Sequence, residues 1–298
     1  MTRSTSATTS VTDALGRARA RLEAAGSPSP RLDAEVLLAH VLGRDRSWLL
    51  AHPEADVEPA DAFADALARR AAGEPIAYIR GFKEWRSLRI RTDPRALIPR
   101  PETELLADAA IAEIAERLTR DDAPIVAWEV ATGSGAVAVA LALRFREALA
   151  LDRLRLIASD LSPEALELAA ENLAAHGVEP LVDLALANLL DPAGAGLPRP
   201  DVVVANLPYV ATDEVDARRG SLGFEPRIAL DGGPDGLELL RPLLAALPAR
   251  AAPSATALLE LGVGQVDEVR GLAPPGASVA VVPDLAGLDR VVRVSLGA

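Results

Sequence analysis

Two hydrophobic periodicities divide the chain. From residue 11 to about 72, Leu15, Leu22, Leu32, Val36, Leu37, Val41 and Leu42 recur at helical spacing. Gly26, Gly43 and Gly73 fall where helices should stop, and Pro28, Pro30, Pro53 and Pro59 punctuate the connections. This pattern predicts four or five short helices. From residue 125 onward, apolar runs of strand length alternate with helical stretches. Strands are expected over 125–130, 154–160, 181–186, 201–205, 255–261, 278–282 and 290–294, and helices over 136–145, 162–176, 235–248 and 265–272. Such alternation builds a parallel sheet covered on both faces. The last two strands have no helix between them, so they are expected to pair antiparallel.

The intervening stretch differs from both. Short β-type runs, 74–81 and 88–92, flank a Gly-containing turn and predict a hairpin. Pro101 in Pro99-Arg100-Pro101-Glu102-Thr103-Glu104 suits a helix start, and the acidic residues suit its first turn. Arg100 and Thr103 read equally as part of a capped helix or as ligand-facing. The expected fold is therefore α/β: a seven-stranded, doubly wound (Rossmann-like) sheet over 99–298, a small all-helical domain over 1–75, and a β-hairpin linker over 76–98. The helical domain carries no evident chemistry and is expected to dock a partner or brace its neighbour.

Candidate chemistry sits at the carboxyl ends of the predicted strands, where open α/β sheets bind ligands. After the first strand come Ala131, Thr132, Gly133, Ser134 and Gly135, a turn that admits a ligand to the backbone and to free N–H groups of the next helix. The second strand ends in Asp160, a carboxylate suited to a ribose diol. Ala138 replaces the third Gly of a pyrophosphate fingerprint, which points to a nucleoside ligand such as S-adenosylmethionine. The third strand ends at Asn188 and Leu189, a polar and an apolar group placed to flank an adenine. The fourth ends at Asn206-Leu207-Pro208-Tyr209. There the Asn206 side-chain carbonyl and the Leu207 main-chain carbonyl offer two acceptors to a planar –NH2, and Tyr209 offers a ring to stack on it. The long connection over 211–236, rich in Gly, Pro and charge, leaves this centre and is expected to face substrate.

Composition narrows the classes. Acidic residues exceed basic ones to give a formal charge of −12, which disfavours non-specific binding to nucleic acid. With no Cys and three scattered His, neither disulfides nor a metal site is expected. The Ser/Thr-rich first ten residues read as a loose tail, and no apolar run has membrane-spanning length. A cytoplasmic monomer is expected, without membrane or direct nucleic-acid contacts.

Taken together these residues resemble the class I methyltransferases that act on a planar nitrogen and, more narrowly, the release-factor glutamine methyltransferases of the HemK/PrmC family. The resemblance rests on Gly73-Glu74-Pro75-Ile76-Ala77-Tyr78-Ile79, the segment 97–104, Thr132-Gly133-Ser134-Gly135, Asn206 to Val210, the segment 225–230 and the segment 284–290. It implies S-adenosylmethionine as cofactor and a role in translation termination. The methyl acceptor would be the side-chain amide of the Gln in the Gly-Gly-Gln motif of peptide chain release factors. It implies that residues 131–135 and Asp160 bind cofactor, that Leu189 lies against its adenine, and that Asn206 bridges cofactor and substrate. Leu207, Pro208 and Tyr209 would complete the amide pocket. Leu207 stands where the family commonly has Pro, which leaves the main-chain acceptor in place. Asn-Leu-Pro-Tyr also occurs in rRNA adenine dimethyltransferases, so adenine-N6 methylation of RNA or DNA is the alternative. Ala131 stands at the first Gly of the loop, where a positive φ would cost ~1 kcal/mol. These two departures also motivate a third reading, a cofactor-binding paralogue with impaired catalysis.

Overall fold

The computed structural model describes residues 9–120, 123–192, 196–217, 220–284 and 286–297. The expected loose tail lies outside them apart from its last two residues, and so does Leu285 of the segment 284–290. Contacts divide the chain into two compact units, one running up to Gly81 and including the short stretch ending at Phe224, the other holding the rest.

The first unit contains α1 (Val11–Ala24), α2 (Pro30–Val41), α3 (Arg46–Ala51), α4 (Ala60–Ala71) and α5 (Ile76–Arg80). Their apolar faces meet around Leu22, Leu37, Leu38, Leu49, Phe63 and Leu67, all buried. Asp33 is buried with them. It accepts from Ser27 and Ser29 hydroxyls at 2.6 and 2.9 Å and from Arg70 Nε at 2.7 Å, so the burial of its charge is compensated.

The segment expected to be the first hairpin strand, 74–81, is instead α5. Ile76 and Ile79 lie one helical turn apart and both pack on the helical core, and Gly81 at φ +75° ends the turn. A four-residue apolar run, Ile76 to Ile79, carries no period long enough to separate helix from strand. The hairpin lies just beyond, in β1 (Phe82–Trp85) and β2 (Leu88–Arg91). Its turn is Arg86-Ser87, both at positive φ, rather than a Gly-containing one.

The second unit continues through α6 (Thr103–Arg120), β3 (Ile125–Val130), α7 (Ala136–Arg144), α8 (Arg146–Ala150), β4 (Leu154–Asp160), α9 (Pro163–Ala175), β5 (Val182–Asn188), β6 (Asp191–Pro192), β7 (Val202–Ala205), α10 (Thr212–Ala217), α11 (Leu240–Arg250), β8 (Thr256–Glu260), α12 (Val266–Leu272), β9 (Ser278–Pro283) and β10 (Asp289–Ser295). The strand order is β6-β5-β4-β3-β7-β8-β10-β9. All seven expected strands are present, and the two-residue β6 adds an antiparallel edge. β5, β4, β3, β7 and β8 run parallel, and β10 pairs antiparallel with both β8 and β9, as the missing crossover helix predicts.

β7 is buried at every position, because it is central and covered on both faces. Helix α6 starts two residues later than Pro101 suggested, and α11 five residues after 235. The long connection after β7 is partly ordered by α10 and by a bridge between Val210 and Asp231. No helix among the described residues is long and apolar enough to cross a membrane.

Candidate active site

A cavity opens at the carboxyl ends of β3, β4, β5 and β7, on both sides of the point where the chain order reverses. Its floor is the turn after β3. Thr132 N–H donates to the Ser159 carbonyl at 2.8 Å, and Gly133 N–H donates to Asp160 Oδ2 at 2.8 Å. Asp160 Oδ1 accepts from Ser162 N–H at 3.0 Å. Main-chain amides thus hold both carboxylate oxygens, and lone pairs beyond those bonds can accept from a ligand hydroxyl. Burial raises the Asp160 pKa, with the Ser162, Gly133 and Leu161 amides opposing the shift.

The turn is braced from behind by Asn172 of α9, fully buried, which donates to the Ser134 carbonyl at 2.8 Å and to the Arg91 carbonyl at 3.1 Å. Gly135 stands outside the cavity lining. It sits at φ +76° at the start of α7, where an added Cβ would come within 3.0 Å of Ala169 Cβ. Close helix packing, rather than ligand approach, requires that glycine. Ala131 is at φ +57°, so the conformation that would penalise Ala is the one adopted.

Asn206 follows β7 and lines the same cavity with Leu207 and Pro208. Its Nδ2 donates to Thr103 Oγ1, the first residue of α6, at 3.1 Å. Thr103 and Glu260 of β8 flank that –NH2 end, so Oδ1 is the end left for a donor in the cavity. Thr103 is thus both the first residue of α6 and part of the cavity lining. Arg100 also lines the cavity and pairs with Glu225 at 2.6 Å. Glu225 in addition accepts from Ile98 N–H at 3.0 Å, so one buried carboxylate ties the connection after β7 to the segment 97–104. Tyr209 does not line the cavity. Its ring stands where a Cβ on Gly262 would be 3.1 Å away, and its carbonyl accepts from Gln265 Nε2 at 3.2 Å. Burial, together with the charge of Glu260, raises its phenol pKa.

Of the residues singled out from sequence, Ala131, Thr132, Gly133, Ser134, Asp160, Leu189, Asn206, Leu207 and Pro208 share this lining. Two carboxyls escaped that reading. Glu129 is buried at the end of β3, accepts from Thr132 Oγ1 at 2.9 Å, and is pushed up to about 8 by burial. Glu260 is buried at the end of β8 and is pushed up to about 7 by burial. The available signal was a carboxylate within an otherwise apolar strand, which is rare unless paired or functional.

The residues present fit S-adenosylmethionine. Asp160 retains acceptors for a ribose diol, and Val137, Leu161 and Leu189 supply apolar walls beside it for a base. Asp160 is the carboxyl beside that space, and Glu129, pushed up to about 8 by burial, stands behind it as a largely protonated second one.

Comparison with known proteins agrees in kind. The profile of the PrmC N-terminal domain matches residues 13–81. The release factor glutamine methyltransferase of Deinococcus radiodurans is 40% identical over 285 residues, covering 94% of this chain and 96% of its own. That of Moorella thermoacetica is 41% identical over 282 residues, covering 93% of this chain and 95% of its own. A solved release factor-specific protein-(glutamine-N5) methyltransferase from Alicyclobacillus acidocaldarius is 29% identical, covering 70% of this chain and 99% of its own, with a TM-score of 0.39.

Proposed function

We propose that this chain, which belongs to the release factor glutamine methyltransferase family, transfers a methyl group from S-adenosylmethionine to the side-chain amide of the Gln in the Gly-Gly-Gln motif of peptide chain release factors. One observation carries the chemistry: the Asn206 amide, held by Thr103, lines the same cavity as the Gly133–Asp160 pair. Asp160 would accept from the ribose hydroxyls, and Leu189 and Val137 would flank the adenine. Asn206 Oδ1 and the Leu207 carbonyl would each accept one hydrogen of the substrate –NH2, fixing its plane with the nitrogen facing the methyl donor. Pro208 would wall this pocket, and Tyr209, standing on Gly262, would support the turn from outside. The bound cofactor supplies a methyl group already activated on a sulfonium, so this chain's contribution is orientation and exclusion of water. No strong base is needed, because the amide proton leaves after the C–N bond has begun to form.

The test is mass spectrometry of a recombinant release factor incubated with this protein and S-adenosylmethionine. One methyl on the Gly-Gly-Gln peptide is expected, lost in Asn206→Ala while cofactor binding persists. Near-normal turnover by Asn206→Ala would refute the mechanism. Methylation of an RNA sample in its place would establish the adenine reading.

A further inference from the structure

Glu260 ends β8 directly beside Asn206, since Leu259 pairs with Ala205. It is only 2% exposed, and neither carboxyl oxygen makes a hydrogen bond of good geometry among the described residues, although Thr103 and Asn206 lie near enough to pull its pKa down. Burying such a group without compensation is unfavourable, and Leu258, Leu259 and Leu261 around it show that apolar side chains fit this strand end. Stability alone does not account for a Glu here.

Its surroundings supply a reason. Thr103 from the start of α6 and Asn206 from the end of β7 flank it, Glu102 adds a like charge, and Arg290 of β10 an opposite one; Tyr209 also feels its charge. Thr103 Oγ1 already accepts from Asn206 Nδ2, so the hydroxyl hydrogen is free to point at a carboxylate. An anion at 260 therefore attracts both the hydroxyl hydrogen and the –NH2 end of Asn206. Protonated Glu260 loses that preference and can itself donate, which permits the amide to turn over and present –NH2 to the cavity. Two –NH2 groups facing each other cannot hydrogen-bond.

We propose that Glu260 is a positioning residue for methyl transfer: its carboxylate, acting on Thr103 and Asn206, holds Asn206 Oδ1 toward the substrate amide. The proposal rests on the functional reading above. Burial raises the pKa of Glu260 into the neutral range, so its charge, and with it the amide orientation, changes near pH 7.

The deciding experiment combines pH profiles of methyl transfer to a release factor with NMR of the Asn206 side-chain amide, assigned by its absence in Asn206→Ala. In the wild type the rate should rise with pH through about 7, and the amide resonance should titrate over the same range. Glu260→Gln should transfer roughly tenfold or more slowly on the alkaline side with a flat profile, its KM for S-adenosylmethionine changing little. Thr103→Val should lose the same limb and Thr103→Ser keep it, which separates positioning from misfolding. A wild-type rate in Glu260→Gln, a retained acidic limb in that variant, or an Asn206 amide indifferent to pH in the wild type would each overturn the proposal. A wild type inert on the release factor would refute the functional reading instead, and the NMR titration would still decide the link between Glu260 and Asn206.

Discussion

Replacing Ala131 by Gly should stabilise the protein, although it removes a side chain and adds a flexible residue. Ala131 sits at φ +57°, where an L residue with a Cβ pays about 1–2 kcal/mol. Gly is free of that strain but costs about 0.4–1 kcal/mol through the larger entropy of the unfolded chain. The difference is a net gain centred on about 0.8 kcal/mol, within a span of about 0 to 1.6 kcal/mol. For a chain of this size, unfolding in urea with a slope of about 3 kcal/mol/M turns this into a midpoint rise of about 0.2–0.3 M. The fluorescence of Trp128, buried three residues before the turn, reports the transition of the right unit. Gly133→Ala is the mirror control. Its φ of +55° is nearly the same and its added Cβ would meet nothing nearer than Ala96 Cβ at 3.9 Å, so no clash is added, and strain less the unfolded-state entropy gain should lower the midpoint by a similar amount. Gly135→Ala should cost more than Gly133→Ala, because its Cβ also meets Ala169 Cα at 3.1 Å. A lower midpoint in Ala131→Gly would refute the argument, since unfolded-state entropy would then outweigh any strain at residue 131.

Two further outcomes follow from buried charges. Glu129 has a folded pKa pushed up to about 8 by burial, against Thr132 and Ala138 hydrogen bonds that lower it, while Asp160 adds to the rise. The folded state therefore holds more protons than the unfolded one between about 4.5 and 8, and stability falls as pH rises through that window. Glu129→Gln should match the wild type in urea midpoint near pH 5 and exceed it increasingly toward about pH 9, and a difference independent of pH would refute the assignment. Arg117, buried in α6, pairs with Glu113 at 2.7 Å and donates to the Ser254 carbonyl and to Thr256 Oγ1 at 2.7 and 3.1 Å. Arg117→Met should lower stability by about 3 kcal/mol, because Glu113 keeps only its contact with the half-exposed Arg293, and adding Glu113→Leu should restore part of the loss in the same urea assay.

Local sequence decided much of this protein. Seven of the sheet's eight strands and their order along the chain follow from runs of apolar residues bounded by turn residues, and the antiparallel last pair follows from the missing helix. The cavity-lining turns after β3, β4 and β7 were legible because Gly, Asp and Asn-x-Pro each interrupt a buried strand with a residue that ends it for a stereochemical or solvation reason. What the sequence left open were matters of partnership between distant segments. Whether residues 76–80 coil or extend depends on the helical core they pack against, which a five-residue run does not encode. Spacing leaves Thr103 as either a helix-start or a ligand-facing residue, and only β7 brings Asn206 to within 3.1 Å of it across 103 positions of chain. Gly135 reads as part of a ligand cradle until α9 is seen to press on it, and Tyr209 as a stacking ring until Gly262 is found beneath it. Glu129 and Glu260 look like ordinary strand-end charges in one dimension. Only tertiary burial withdraws their solvent, raises their pKa values and makes their few neighbours decisive.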